Sequence, residues 1–252
     1  MNIVRVATYN IHKGVQGVGP RRRLEIHNLG HAVEQLDADI VCLQEVRKHH
    51  RGEEMHFTRW PELPQAEFLA PEGYHAVYQT NAVTRHGEHG NALLSRWPIG
   101  DIGHHDVSDH RFEQRGLLHV PVWWQGVEVH AVVAHLGLIH ASRVRQVERL
   151  AAFIAAEVPA GAPLLVAGDF NDWGEKLDGP MSGLGLQRAL APEGAGLSAR
   201  GGRLTFPSLM PVFALDRFYL RGLTCRSTLV PRGMTWARMS DHLPLVAELV
   251  AA

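Results

Sequence analysis

The chain has 252 residues, 45% of them hydrophobic and 20% charged, with 25 Gly, 14 Pro and two Cys. That composition fits a globular chain and excludes collagen-like, disulfide-framework and low-complexity proteins. The formal net charge of −1 leaves no overall electrostatic footprint for non-specific nucleic-acid binding.

Met1-Asn-Ile-Val-Arg-Val-Ala-Thr8 opens directly as strand-like sequence, without the long apolar core of a signal peptide. Val4–Tyr9 reads as a buried strand with Asn10 at its end. Arg21–Leu36 reads as an amphipathic helix, because Leu24, Leu29, Val33 and Leu36 fall near one face. Asp39–Gln44 is a second apolar strand, ending at Glu45. Residues 47–72 are polar and contain Pro61, Pro64 and Pro71. They read as a loop with a short helix, and Trp60 and Phe68 make the loop a candidate for setting specificity.

Tyr74–Gln79 and Asn91–Ser95 read as short strands, and Arg115–Val122 and Val127–His135 as a hairpin around Gln125-Gly126. At its tip, one ring of Trp123-Trp124 is expected to pack inward while the other covers the sheet edge. Ser142–Val158 carries Val144, Val147, Leu150 and Ile154 at helical spacing. Leu164–Ala167, Ala214–Leu220, Thr224–Val230 and Leu243–Leu249 complete the strands. Cys42 and Cys225 sit among apolar neighbours and read as buried free thiols. No linker, repeat or composition break divides the chain, so a single domain over residues 1–252 is expected. No stretch approaches the roughly 18 apolar residues of a membrane span. A soluble, cytoplasmic protein follows as an expectation, with no obligatory protein partner evident.

Strands outnumber helices, and helices separate only some of them. This predicts an α/β fold of two mixed sheets packed together with helices outside, not a doubly wound parallel sheet. Asn10, Glu45, His135, Asp169 and Asp241 recur where apolar strands end. One rim of the sheets is therefore expected to carry the chemistry. In an extended backbone Asp169 and Asn171 point the same way. A carboxylate, an amide and the Asp241-His242 pair are the parts needed to activate water beside a divalent metal.

In order, Thr8-Tyr-Asn-Ile-His12, Cys42-Leu-Gln-Glu-Val46, Gly90-Asn-Ala-Leu-Leu-Ser95, Ala134-His-Leu136, Gly168-Asp-Phe-Asn171, Leu215-Asp216 and Ser240-Asp-His242 resemble the endonuclease/exonuclease/phosphatase superfamily, the deoxyribonuclease I-like group. The resemblance covers essentially the whole chain. It implies a four-layer α/β sandwich, two mainly antiparallel sheets face to face between outer helices, and Mg²⁺-dependent hydrolysis of a phosphate ester, with Mn²⁺ substituting. By the same resemblance Glu45 is the principal metal ligand, with Asn10 and Asp241 beside it. Asp169 orients and helps deprotonate the attacking water, and Asn171 holds a phosphate oxygen. His242 is the catalytic histidine, oriented by Asp216. His135 is placed to protonate the leaving oxygen, and Arg115 to contact the substrate phosphate.

Departures bear on the substrate. His12 stands where the apurinic-endonuclease branch usually has an aspartate, and His135-Leu-Gly-Leu138 replaces a tyrosine-bearing segment of that branch. Together with Arg143, Arg145 and Gln146, this is more similar to an uncharacterised bacterial branch of metal-dependent hydrolases, some of whose relatives act on phospholipids. A nucleic acid, a phospholipid head group and a small phosphorylated metabolite stay open as substrates, as does a phosphate-binding module without catalysis.

Plainer readings stand beside these. Asp and Asn favour turns in any case, Glu45 could pair with Arg47, and His135 could be a core histidine. Of the 17 histidines none forms a His-Glu-x-x-His zinc signature. Arg21-Arg22-Arg23 is expected to open a helix as a solvated basic turn, although with Lys13 it could flank a polyanionic substrate.

Overall fold

The computed structural model describes residues 3–191 and 203–252. Its first half runs β1 (Val4–Asn10), β2 (Val15–Gln16), β3 (Arg23–Leu24), α1 (Ile26–Leu36), β4 (Ile40–Val46), α2 (Arg51–His56), α3 (Gln65–Leu69), β5 (His75–Val83), β6 (Glu88–Ser95) and β7 (Gly103–Asp106). The second half runs β8 (Gly116–Trp124), β9 (Val127–His135), α4 (His140–Glu157), β10 (Leu164–Asp169), α5 (Asp178–Gly183), β11 (Gln187–Arg188), β12 (Asp216–Arg221), β13 (Leu223–Leu229), α6 (Met234–Ala237) and β14 (Leu245–Ala251).

Two six-stranded sheets form, ordered β13-β14-β1-β4-β6-β5 and β11-β12-β10-β9-β8-β7. Side-chain alternation along the strands sorts the layers. Val6, Ile40, Cys42 and Leu93 of the first sheet meet Val120, Val133, Leu165 and Phe218 of the second in a shared core. The alternate residues Ala7, Tyr9, Val41 and Leu43 face out, where Ile26, Leu29 and Val33 of α1 and Ala66 and Leu69 of α3 cover them. On the other flank Val132, Ala134, Leu164 and Val166 are covered by Val147, Leu150 and Phe153 of α4 and Met181 of α5. The result is helix, sheet, sheet, helix. Strands covered on both faces read as near-continuous apolar runs, and β10 is such a run, every residue buried and Asp169 at its end. Removing Leu29 from under α1 (Leu29→Ala) would cost about 2–5 kcal/mol.

Each sheet contains one parallel pair, β1 with β4 and β9 with β10, among otherwise antiparallel neighbours. Parallel strands end together, so each pair delivers two C-termini to one edge. Antiparallel neighbours begin at that same edge. The register sets Asn10 beside Gln44, and Asp169 beside both His135 and Asp216. β14 starts there as well, three residues after His242.

Several expectations change. The helix expected over Arg21–Leu36 begins only at Ile26. Gly19–Arg21 is a 3₁₀ turn and Arg23-Leu24 pairs with Val15-Gln16, so the three arginines do not open a helix. The loop at 47–72 holds two short helices, α2 and α3. β7 was hidden by its polar sequence, Gly-His-His-Asp, yet it pairs with β8. The turn at Gln125-Gly126 has φ of +50° and +83°, the left-handed pair a tight hairpin requires. Trp124 is buried beside it while Trp123 is 45% exposed. Cys42 and Cys225 are buried free thiols. Among the described residues, no helix is long and apolar enough to cross a membrane.

Candidate active site

Asp169, the last residue of β10, is almost wholly buried and sits at the centre of the rim. Its Oδ1 accepts the Asn171 backbone N–H at 2.9 Å. Its Oδ2 accepts Asn10 Nδ2 at 3.1 Å and lies 3.6 Å from both His135 Nε2 and His242 Nε2. Asp216 Oδ2 meets His242 Nδ1 at 2.8 Å, which fixes the ring's orientation and leaves Nε2 facing Asp169. Asn171 adopts φ +48°, a conformation Asn tolerates better than most residues. Its side-chain N–H donates to Leu136 O at 2.9 Å. Six of the expected site residues, Asn10, His135, Asp169, Asn171, Asp216 and His242, thus form one buried floor.

Glu45 stands at the mouth. The register between β4 and β6 slips between Leu43 and Val46, and Glu45 has φ +57°. Such a bulge re-aims a side chain out of the strand's alternation. Glu45 Oε1 lies 3.5 Å from Asn10 Nδ2, which therefore links it to Asp169. Lys13 Nζ reaches Glu45 Oε2 at 2.7 Å. Arg47 pairs instead with Glu53, at 3.2 Å, so the strand-end pairing of Glu45 with Arg47 does not occur. Asp241 is half-exposed and meets His12 Nδ1 at 3.1 Å. His12 in turn donates its backbone N–H to Asn10 Oδ1. Arg115 Nε donates to Leu136 O at 3.2 Å, and its Nη2 lies 3.4 Å from Glu113.

The two imidazoles are held in opposite states. Burial opposes the charge on His242, but Asp216 and Asp169 overcome it and raise its pKa to about 10. Burial, reinforced by Arg115, pushes His135 down to about 3. His242 is therefore an imidazolium and His135 a neutral ring in the free site. Burial would raise the Glu45 carboxyl, yet Lys13, His135 and His12 hold it far below the usual carboxylate range. Burial acts the same way on Asp241, where His12 and His242 reverse it and keep the group ionised.

A hard divalent cation suits the mouth. Glu45 Oε2 is buried, and the group facing it is the Lys13 ammonium at 2.7 Å, a cation. Carboxylate and amide oxygens of Glu45, Asp241 and Asn10 are the donor type such ions prefer. Asp169, Asp216 and His242 also place ligand atoms within 4.8 Å of one another. That trio suits a metal less, because Asp216 already holds the His242 ring and the ring carries a proton.

Beneath the floor lies a network the sequence reading did not assign. Arg217 and Asp172 are each 1% exposed. Arg217 Nη1 donates to Asp172 Oδ2 and Nη2 to Asp172 O, both at 2.8 Å. Asp172 Oδ2 also accepts Leu177 N–H. Arg143 donates to the carbonyls of Gly137 and Leu138, and Gln146 accepts Gly137 N–H. These contacts set the turns that carry Asp169, Asn171 and His135. The available signal was Arg217 itself, a charge inside an apolar strand on the face opposite Asp216, where burial demands a partner. Phe206 was missed too; its ring lies 4.8 Å from that of His242.

Residues 7–242 match the family described as "Endonuclease/Exonuclease/phosphatase family". The "Uncharacterized protein YbhP" of Escherichia coli K12 is 39% identical over 248 residues, which span 97% of this chain and 95% of that protein. An endonuclease/exonuclease/phosphatase from Bacteroides vulgatus superposes with a TM-score of 0.73 at 18% identity, covering 100% of both chains. A mannosyl-6-phosphatase from Bacteroides thetaiotaomicron superposes with a TM-score of 0.69 at 18% identity, covering 98% of this chain and 99% of its own. At such identities the two structures speak to the fold alone.

Proposed function

The chain belongs to the endonuclease/exonuclease/phosphatase family of phosphoric ester hydrolases, and from that premise we propose that it is a Mg²⁺-dependent phosphodiesterase. The observation that carries this reading is the buried Asp169 carboxylate, set 3.6 Å from the Nε2 atoms of both His135 and His242 and tied through Asn10 to Glu45. A phosphate-binding module needs no such proton-handling floor.

Mg²⁺ would be held by Glu45, with Asn10 and Asp241 beside it, and when bound supplies charge neutralisation at the phosphoryl oxygens. Mn²⁺ would substitute. Asp169 orients the attacking water and takes its proton, and attack proceeds in line without a covalent enzyme intermediate. The Asn171 amide has a second N–H beyond the one given to Leu136, and it binds a phosphoryl oxygen. His242 enters as a cation, oriented by Asp216, and stabilises the developing charge. His135 takes up a proton from solvent as the anionic phosphate arrives beside it and passes that proton to the leaving oxygen; the proton that Asp169 took from water is released to solvent with the product. Arg115 supports that end of the site. The substrate is a phosphodiester of a nucleic acid or a phospholipid.

The fold likeness to a mannosyl-6-phosphatase supports a second reading, a phosphomonoesterase acting on a small metabolite. Comparing bis-p-nitrophenyl phosphate with p-nitrophenyl phosphate at matched Mg²⁺ separates the two. The diester is expected to be the better substrate in kcat/KM. A preference for the monoester would establish the second reading, and hydrolysis of neither would refute both.

A further inference from the structure

The loops that surround the mouth end in exposed apolar side chains. Phe112 precedes β8, Leu138 and Ile139 follow β9, and Leu209, Met210 and Val212 precede β12. Their exposures run from 51% for Val212 to 82% for Phe112. Single exposed apolar residues need no explanation, but these are joined into one surface. Leu138 N–H donates to Glu113 at 3.0 Å, which ties the second loop to the first. Asn171 bonds Leu136 O, and Trp173, two residues on and 41% exposed, lies 5.4 Å from Phe206 and 4.8 Å from Phe213. Phe206 touches the His242 ring. The apolar crown is therefore continuous with the catalytic floor. At the far end of the sheets, Ile3, beside the start of β1, and Trp123 and Val127, around the hairpin turn, are exposed.

Charge selects the occupant. Arg21, Arg85 and Arg111 are exposed on loops at the same rim, and among the described residues none of them makes an ion pair. Arg111 lies over the Phe112 ring at 4.7 Å. The hairpin bearing Arg85 is bound to the first loop through Val83 N–H and Gln114 at 2.9 Å. The acids of these loops are already taken: Asp109 by Arg145, Glu113 by Arg115, and Glu175 by Arg188. An isologous pairing of two such rims would set arginines against arginines. Apolar tips ringed by unpaired cations match a bilayer with anionic head groups instead.

Resting on the phosphodiesterase reading above, we propose that the catalytic rim docks on an anionic phospholipid surface and that the phosphodiester it takes is a lipid head group. No single segment is amphipathic enough to show this in sequence; four separate loops share the surface.

The test is co-sedimentation of the full chain with vesicles of phosphatidylglycerol and phosphatidylcholine in equal parts, beside vesicles of phosphatidylcholine alone. The protein is expected to pellet with the anionic vesicles at least about tenfold more than with the neutral ones. A Phe112→Ser, Leu209→Ser, Met210→Ser variant is expected to lose that binding by about tenfold, with its melting temperature showing that it is folded. Three results would overturn the proposal: wild-type protein left in both supernatants, a variant that pellets like wild type, or a concentration-dependent dimer abolished by the same substitutions. Turnover of bis-p-nitrophenyl phosphate is followed in parallel. Hydrolysis without vesicle binding removes the docking proposal alone, whereas vesicle binding without hydrolysis removes the phosphodiesterase reading, and with it the lipid substrate, and leaves the docking.

Discussion

Two histidines, both 5% exposed and both 3.6 Å from one carboxylate oxygen, differ in protonation because their other neighbours differ. His242 has Asp216 at its second nitrogen, and His135 faces Arg115. Replacing Asp216 with Asn should lower kcat by roughly 10²–10⁴-fold and bring the His242 titration, followed by NMR of the ring protons, down from about 10. Stability carries the same signature. His242 binds its proton more tightly in the folded state, so its contribution is complete below pH 6.5 and is lost as pH rises through about 10. Metal-free protein should therefore melt progressively lower between those values, and Asp216→Asn should flatten that slope. An unchanged slope in the variant would contradict the assignment. His135 and His119, depressed to about 3 and about 4, act with the opposite sign. Unfolding lets them take up protons, so they reduce stability as pH falls below 6.5. At this scale it was legible that these side chains would meet, because Asp, Asn and His at the ends of apolar strands stand out; the roles given to them belong to the proposal. Lys13 as the partner of Glu45 was not legible. Its approach depends on left-handed backbone at His12, Lys13 and Gly14, which no residue type there announces except the glycine.

β10 shows how an element holds the site. Gly168 has φ +151°, and a Cβ there would lie 1.8 Å from Ala134 O of the parallel neighbour. Gly168→Ala should cost more than about 2 kcal/mol, measured by denaturant unfolding; a loss within error would show that the strands can part. The Asp172–Arg217 pair just beyond β10 is a second such support. Arg217→Met leaves the Asp172 carboxylate buried without its cation and should cost about 3–5 kcal/mol. Wild-type stability in that variant would mean that the network does not hold the turn. The apolar strands were legible from composition and alternation because burial on both faces favours apolar residues along most of their length. α4 was legible from its spacing. The helix read over Arg21–Leu36 was legible except for its start, which is Ile26, because Leu24 continues the helical period by chance while belonging to β3. The Gly-His-His-Asp strand β7 offers no alternation to read; it lies at a sheet edge and pairs on one side only.

The whole molecule turns on two parallel pairs in two sheets, which bring Asn10, Glu45, His135 and Asp169 to one rim from four strands. Composition and strand order implied two mixed sheets with helices outside, and the motif order implied four layers; both agree with the structure. The surface around the mouth was beyond sequence reading, since its apolar tips come from loops far apart in the chain. The proposed substrate rests on that surface, whereas the proposed reaction rests on the floor. The floor is tested most directly by the rate of bis-p-nitrophenyl phosphate hydrolysis across a Mg²⁺ titration, for wild type, Glu45→Gln and Asp169→Ala, each checked for folding by its melting temperature. The expected result is saturable, metal-dependent hydrolysis in wild type, a raised Mg²⁺ requirement in Glu45→Gln, and near-complete loss in Asp169→Ala. Hydrolysis that ignores Mg²⁺, or an Asp169→Ala variant turning over like wild type, would contradict a metal-assisted phosphoesterase centred on Asp169.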